Sequence, residues 1–140
     1  MTQDEIDQLF GQEHVEHYRA TGGEEGHDWK GTITLLLTTT GRKSGEERTA
    51  PLIYQPWDDS YLIVASKGGA DAPPAWYRNL EANPKVTLQV EDDVFEATAR
   101  DASDDEKPEM WKKMTATWPA YDEYQGKTDR PIPVVVLERS

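Results

Sequence analysis

The hydrophobic pattern of this chain consists mostly of short apolar or alternating segments, which are typical of β-strands. Leucine-rich, β-branched or alternating runs predict six strands, over residues 32–40, 48–56, 60–66, 85–91, 94–101 and 131–139. The pairs Asp58–Asp59 and Asp92–Asp93 lie between consecutive runs and predict tight turns. Strands joined in this way lie antiparallel, so we expect a sheet of hairpins.

Helical spacing appears in three places. Thr2 and Glu5 have the spacing of a capping box, and the apolar residues that follow predict a helix that ends at Gly22–Gly23, with Gly11 as a weak point inside it. A short helix over residues 75–83 begins after Pro74. A second capping box at residues 103–106 predicts a helix that continues through Trp118. Residues 119–130 are predicted as a loop, with or without a helical turn.

The order of these elements favours a mainly β, antiparallel split β-barrel with a few short helices, because barrel closure protects strand edges. Alternating strand–helix units are missing, which argues against a doubly wound nucleotide-binding fold. The length of 140 residues suits one domain. We expect residues 1–30 to form an N-terminal helix and loop, and residues 31–140 to form the barrel.

Composition narrows the functions that the chain can have. Its net charge is −12 and its pI is about 4.6, and no basic stripe is present, so we expect no nucleic-acid partner. It has no cysteine, which excludes thiol chemistry and disulfides. There is no signal-peptide pattern and no apolar run near the about 18 residues of a membrane span, so we expect a cytoplasmic protein without an integral membrane segment.

Against this acidic background, a basic glycine-containing loop stands out. Arg42, Lys43 and Ser44 lie between two glycines after the first strand, and Arg48 lies on the next. Glycines let backbone N–H groups approach an anion, while Arg and Lys supply charge. The segment "SKGG", which contains Lys67, ends another strand in the same way. The two strand ends could therefore face each other across an anion-binding groove; the alternative is ordinary solvated turns.

Aromatic residues accompany both strand ends. Trp76 and Tyr77 follow the second, and Trp118, Tyr121 and Tyr124 lie near the C-terminus. Large flat side chains suit a flat heteroaromatic ligand. They could instead fill the core, which is the interpretation that we prefer for Trp111. Together the loops and aromatics predict a groove for a planar ring with a polyanionic tail, as in a flavin-like cofactor.

Other chemistries have weaker support. His14 and His17 are spaced to share one helix face and could chelate a metal, but polar residues on a helix flank are the simpler interpretation, so no metal site is predicted. No G-x-S-x-G, G-x-G-x-x-G or phosphate-loop motif is present.

Four segments together resemble a known family: "LLLTTTGRKSGEERTAPL", "ASKGGADAPPAWYRNLEANPKV", "ARDASDDEK" and "YDEYQGKTDRPIPVVVLE". They are similar to the deazaflavin-dependent nitroreductases, split β-barrel oxidoreductases that use coenzyme F420, an 8-hydroxy-5-deazaflavin with an oligoglutamate tail. The similarity runs from Ile33 to Glu138. Related barrels often pair, so a homodimer is possible.

The resemblance implies roles for the matching residues. The implied cofactor site comprises Arg42, Lys43, Ser44, Arg48, Ala50, Pro51, Leu52, Val64, Ala65, Ser66, Lys67, Trp76, Tyr77, Asn79 and Tyr121. Ser66, Tyr121 and Tyr124 are the implied catalytic residues, and Trp118 and Tyr124 are expected to contact the substrate. Trp118 stands where family members tend to carry a tyrosine, which bears on the substrate range.

The implied reaction is hydride transfer from reduced F420 to an electron-poor acceptor, such as a quinone, a nitroaromatic or an activated enone. Ser66 or Tyr124 would donate a hydrogen bond to the charge that develops on the acceptor. Three alternatives stay open: an FMN-binding barrel reductase, a non-enzymatic F420-binding protein, and a haem-binding or flavin-free interaction barrel.

Overall fold

The computed structural model describes residues 1–140 and contains eight strands and five α-helices. The strands are β1 (Asp28–Trp29), β2 (Thr32–Thr40), β3 (Glu47–Ile53), β4 (Gln55–Trp57), β5 (Ser60–Val64), β6 (Lys85–Val90), β7 (Asp93–Asp101) and β8 (Val134–Arg139). The helices are α1 (Gln3–Asp7), α2 (Gly11–Thr21), α3 (Ala75–Ala82), α4 (Lys107–Thr117) and α5 (Ala120–Gly126), with a 3-10 turn at Lys67–Gly69.

All strand pairings are antiparallel, as the sequence pattern predicted. The strand order is β1-β2-β6-β7-β8-β5-β4, and β3 also pairs with β2. In the β2–β3 hairpin Thr40 lies opposite Glu47, so the basic loop over residues 41–46 connects the two strand ends directly. This sheet places the basic loop and the end of β5 at the margin where the site forms.

The sheet separates two hydrophobic clusters, because alternate residues of a strand point to opposite faces. Ile63 of β5 packs with Leu35, Leu37 and Leu88 in the larger cluster. Leu62 and Val64, its neighbours along β5, pack in the second cluster beneath α4 and α5. Met110 and Met114 of α4 and Tyr121 of α5 are buried there. Both helices are therefore held against the sheet next to the end of β5.

The N-terminal segment differs from the single predicted helix. Its capping box is present, with the Glu5 backbone N–H donating to Thr2 Oγ1 and the Thr2 N–H donating to Glu5 Oε1. The helix ends at Asp7, and a second helix begins at Gly11, whose φ of 59° is left-handed. Phe10 between them is extended, and Leu9 is buried. Gly11 therefore breaks the helix instead of only weakening it.

Four further differences are local. The predicted strand over residues 48–56 is divided at Tyr54 into β3 and β4, and the two-residue strand β1 was not predicted. Residues 120–126 form the helix α5 within the predicted loop. The Ser103–Glu106 box forms as expected, but the helix α4 begins after it, at Lys107. No helix combines the length and the apolar character that crossing a membrane requires.

Candidate functional site

A cavity of about 330 Å³ lies beside the ends of β3 and β5, and we call it the aromatic pocket. Nine of the residues predicted for the cofactor or substrate site line it: Pro51, Leu52, Val64, Ser66, Lys67, Trp76, Trp118, Tyr121 and Tyr124. They come from β3, β5 and the turn after it, α3, α5 and the end of α4. The fold thus brings together residues from distant parts of the chain around one apolar space.

A second cavity of about 430 Å³, the cationic groove, lies along the basic loop. Seven predicted residues line it: Arg42, Lys43, Ser44, Arg48, Ala50, Trp76 and Asn79. Trp76 lines both cavities, so the cationic groove adjoins the aromatic pocket at this indole.

The cations around the two cavities are largely free of acidic partners. Arg42, Lys43 and Lys67 are exposed and take part in no salt bridge. Arg48 lies 3.2 Å from Glu46, but both side chains are mostly exposed, so this pair is weak. In a chain with a net charge of −12, unpaired cations in one place form a local site for an anion.

The backbone of the basic loop is organised for the same purpose. The Gly41 N–H donates to Glu46 O at 2.7 Å, and the Gly45 N–H donates to Gly41 O at 2.8 Å, which closes the loop. The N–H groups of Lys43 and Ser44 donate no hydrogen bond within the protein. Free N–H groups beside cationic side chains are the donors that a phosphate requires.

Asn79 supports this loop from α3. Its buried side chain accepts a hydrogen bond from the Arg42 N–H at 3.2 Å and donates one to Thr39 Oγ1 at 3.1 Å. The residue therefore connects the basic loop to both α3 and β2, which fixes the loop relative to Trp76.

The turn after β5 is held by Arg130, a residue that the sequence reasoning did not single out. Its guanidinium donates hydrogen bonds to the carbonyls of Ala65 (3.2 Å), Ser66 (2.9 Å) and Ala70 (2.8 Å). Lys67 within this turn has a left-handed φ of 46°. A single planar group thus determines the path of the backbone that carries Ser66 and Lys67.

Gly69 brings the same turn against α5. A β-carbon at this position would lie 2.5 Å from the backbone oxygen of Tyr124. The glycine permits an approach that no other residue allows, and its φ of 86° also favours glycine. This contact sets Tyr124 beside Lys67 and Ser66.

Three hydroxyl groups at the aromatic pocket have no hydrogen-bond partner in the protein: those of Ser66, Tyr121 and Tyr124. The rings of Tyr121 and Tyr124 meet edge to face, with centroids 6.1 Å apart. Burial raises the pKa of Tyr121 well above its ordinary value, so its phenol stays protonated. The pocket can therefore donate hydrogen bonds to an oxygen atom of a ligand.

The N-terminal segment forms a wall that the sequence did not reveal. Phe10, Gly11, His14 and Trp29 line the aromatic pocket. Trp29 stacks on Trp118, with centroids 6.1 Å apart and planes at 19°, and its Nε1–H donates to Leu9 O at 2.8 Å. The glycine at position 11 was the available signal, because it marks where the chain changes direction. Trp118 therefore contacts the N-terminal segment as well as the pocket.

Two of the residues predicted for the cofactor site, Tyr77 and Ala65, line neither of these cavities. The Tyr77 hydroxyl donates to the carboxylate of Asp101, at 2.8 and 3.0 Å, beside a separate cavity of about 160 Å³. Burial and this bond raise the pKa of Tyr77. Ala65 is fully buried in the larger cluster.

The two histidines considered for metal chelation have different hydrogen-bond partners, Gly26 O for His14 and Glu25 for His17.

Comparison with known proteins identifies the family of this chain. Residues 10–139 match the model of a family described as F420H(2)-dependent quinone reductase. The chain belongs to this family. As a member of the F420H(2)-dependent quinone reductases it is an oxidoreductase, and the family's cofactor is coenzyme F420. The resemblance to F420-dependent reductases that the sequence motifs indicated is confirmed.

Curated relatives are similar over most of their length. An F420H(2)-dependent quinone reductase of Mycobacterium tuberculosis is 44% identical over 126 residues, which cover 87% of this chain and 85% of the relative. A second protein of that organism, named as a putative F420H(2)-dependent quinone reductase, is 38% identical over 104 residues, which cover 74% of this chain and 87% of that relative.

Solved structures confirm the split-barrel fold. A structure described as an F420-H2 dependent reductase (FDR-A) superposes with a TM-score of 0.70 and 45% identity, covering 75% of this chain and 93% of that one. Another structure, described as a domain-swapped dimer, has a TM-score of 0.73 and 41% identity, covering 91% of this chain and 93% of that one. The haem storage protein HutZ of Vibrio cholerae, at 16% identity and a TM-score of 0.58, shares the fold alone.

Proposed function

We propose that this protein transfers a hydride from reduced F420 to a quinone bound in the aromatic pocket. The observation that carries the proposal is the junction at Trp76, where a groove with unpaired cations adjoins an apolar pocket lined by three unbonded hydroxyls. A redox coenzyme with a charged tail and a planar ring requires these two environments side by side.

The donors of the cationic groove suit the anionic part of F420. Arg42 offers a planar fork of N–H groups, Lys43 offers a mobile point charge, and the backbone N–H groups of residues 43 and 44 are free. Arg48 and Ser44 extend the same surface. We assign the phosphate and the first glutamates of the tail to these residues.

The apolar residues at the junction suit the deazaflavin ring. Pro51, Leu52 and Val64 line the aromatic pocket, and Trp76 borders it on the groove side. Flat and branched apolar side chains bind a planar ring through surface burial. Ala50 of the groove lies next to Pro51, which makes β3 a continuous support from tail to ring.

When bound, reduced F420 supplies a hydride, because a carbon replaces the flavin nitrogen that would support one-electron steps. The residues of the chain have three tasks. Trp118 and the N-terminal wall exclude water from the pocket. Ser66 Oγ and Tyr124 Oη donate hydrogen bonds to the quinone oxygen that becomes negative. A tyrosine hydroxyl or solvent then delivers the one proton that completes the hydroquinone.

The experiment that tests this function is anaerobic oxidation of reduced F420 by the purified protein. We expect turnover with menadione and simple benzoquinones, with slower turnover of nitroaromatics and activated enones, which are also electron-poor. Binding of F420 without any oxidation by this panel would identify a cofactor-binding protein instead. Competition between FMN and F420 in a fluorescence titration would show whether FMN takes the site.

We also propose that the protein forms a homodimer. A similar solved structure, at 41% identity, is described as a domain-swapped dimer. Light scattering on the purified protein should give twice the mass of 15.9 kDa. A monomer at all concentrations would contradict this part of the proposal.

A further inference from the structure

His14 is a buried histidine at the aromatic pocket that the proposed reaction does not use. It lies on α2, is 1% exposed, and lines the cavity next to Trp29, with ring centroids 5.5 Å apart. Because Trp29 stacks in turn on Trp118, the three rings form a continuous wall.

The tautomer of His14 follows from its one close partner. Nε2 lies 2.9 Å from the backbone oxygen of Gly26, and a carbonyl oxygen can only accept, so Nε2 carries the hydrogen. The hydroxyl of Thr34 donates to the same oxygen at 2.7 Å. A neutral imidazole with its hydrogen on Nε2 has a lone pair on Nδ1. Burial lowers the pKa of His14, which favours this neutral form.

Nδ1 itself has no partner in the protein. No fully enclosed side-chain nitrogen or oxygen of this protein lacks a hydrogen bond, so Nδ1 keeps some accessible surface on a residue that lines the aromatic pocket. A β-carbon on Gly26 would lie 2.8 Å from Cδ2 and 2.9 Å from Nε2 of His14, which places the Nδ1 edge on the other side of the ring. The pocket therefore contains an unused hydrogen-bond acceptor.

This acceptor does not match an unsubstituted quinone. The carbonyl oxygens of a quinone accept hydrogen bonds, and the hydroxyls of Ser66, Tyr121 and Tyr124 and the ammonium of Lys67 can all donate to them. A lone pair on Nδ1 needs a donor. A ligand without one would leave a desolvated acceptor unsatisfied, which is unfavourable.

We propose that Nδ1 of His14 accepts a hydrogen bond from a hydroxyl group on a side chain of the quinone, so that the enzyme prefers hydroxyl-bearing quinones to apolar ones of equal size. This inference rests on the proposed quinone reduction. His14 is accordingly a specificity residue for the acceptor.

The test compares 2-(hydroxymethyl)-1,4-naphthoquinone with 2-ethyl-1,4-naphthoquinone, which have nearly the same shape. One neutral hydrogen bond corresponds to a preference of about 2- to 10-fold in kcat/KM for the hydroxymethyl compound. In His14→Phe this preference should disappear, while the affinity for oxidised F420 is retained. The control His17→Gln, on the same helix but outside the pocket, should keep the preference.

Equal kcat/KM values for the two quinones in the unaltered enzyme would overturn the inference while leaving quinone reduction intact. The inference would also be overturned if His14→Phe kept the preference for the hydroxymethyl quinone. This holds whether or not the substitution weakens F420 binding. Absence of turnover with both quinones in the unaltered enzyme would instead contradict the proposed function.

A second measurement needs no variant, in case His14→Phe does not fold. The ¹⁵N spectrum of the imidazoles in the F420-bound protein should show the Nε2–H tautomer for His14. The Nδ1 resonance should shift when the hydroxymethyl quinone is added and stay in place with the ethyl quinone. The Nδ1–H tautomer, or equal shifts with both compounds, would refute the proposal.

Discussion

The guanidinium of Arg130 donates a 2.9 Å hydrogen bond to the backbone carbonyl of Ser66. The same group bonds the carbonyls of Ala65 and Ala70, so one side chain from the segment between α5 and β8 holds the turn that carries Ser66 and Lys67. A lysine cannot reproduce this planar set of donors.

We therefore expect Arg130→Lys to lower the free energy of unfolding by about 1 to 3 kcal/mol, because it leaves carbonyls without donors. Urea unfolding measures this change. The control is Arg78→Lys, because Arg78 is exposed and its side chain makes no hydrogen bond in the protein. Equal stability of the two variants would show that the Arg130 bonds contribute nothing.

Gly69 and Gly68 form a matched pair for testing the contact with α5. Both have positive φ angles, 86° and 63°, so alanine strains the backbone at either position. Only at Gly69 would the new methyl group meet the Tyr124 backbone, at 2.5 Å, whereas nothing lies within 4 Å at Gly68. Gly69→Ala should have the lower melting temperature and slower quinone turnover. Similar losses of melting temperature and turnover in both variants would mean that backbone strain alone, and not the contact with Tyr124, causes the effect.

Lys43→Ala should weaken F420 binding by about 3- to 10-fold, because it removes one exposed cation from the anion site. Fluorescence titration at low and high salt measures the effect, which should shrink as salt screens the charge. Lys113→Ala removes an equally exposed lysine from α4, outside both cavities, and should bind F420 normally. If Lys43→Ala bound F420 as tightly as the unaltered protein, the anionic tail of F420 would bind away from Lys43.

Tyr124→Phe should reduce quinone turnover more than F420 affinity. The hydroxyl has no partner in the protein, so its loss costs no internal hydrogen bond, yet it removes a donor for the developing negative charge. We expect kcat to fall by about 10-fold or more. Stopped-flow kinetics and a binding titration separate the two effects, and parallel losses in both would assign Tyr124 a structural role.

Stability should depend on pH through Glu106. Its carboxylate accepts two hydrogen bonds from Arg100 and one from the Ser103 N–H, which together lower its pKa to about 2. Since the unfolded value is near 4.5, this stabilisation is complete above pH 4.5 and is lost as the pH falls towards 2.

Urea unfolding between pH 5 and pH 3 should therefore show a flatter pH dependence in Glu106→Gln than in the unaltered protein. Glu109→Gln, which removes a carboxylate with one exposed partner at 3.6 Å, serves as the control. An equally flattened pH dependence in both variants would mean that Glu106 contributes no more to the pH dependence of stability than Glu109 does.

The strand ends that form the site were predictable because their residues are contiguous. A hairpin necessarily brings the ends of β2 and β3 together, so Arg42, Lys43 and Arg48 fall at one margin of the sheet. Alternation along β5 also predicts that Ile63 and Val64 face opposite sides. Local patterns of this kind need no knowledge of the rest of the fold.

Residues on α3 could also have been separated by local periodicity, although the prediction assigned them to one site. Trp76 and Asn79 are three positions apart and face the groove, whereas Tyr77 and Leu80 pack in the larger cluster. Adjacent helical residues point about 100° apart, so Trp76 can face the groove while Tyr77 packs in the cluster. Helical spacing within "AWYRNL" was sufficient to separate them.

The N-terminal wall could not be predicted from local pattern. His14 reaches the pocket because α2 lies against β3, where the Gln12 amide donates to Thr49 O and Arg19 donates to the Thr49 hydroxyl. Such contacts join residues at least thirty positions apart, and neither helical nor strand periodicity specifies them.

The helix pair α1–α2 contributes residues to the aromatic pocket and none to the cationic groove. The side of the proposed acceptor pocket that Phe10, Gly11 and His14 form is thus encoded apart from every residue of the cationic groove. Under the proposed function, exchanging the first two dozen codons between relatives would change this side of the acceptor pocket and leave all the groove residues in place.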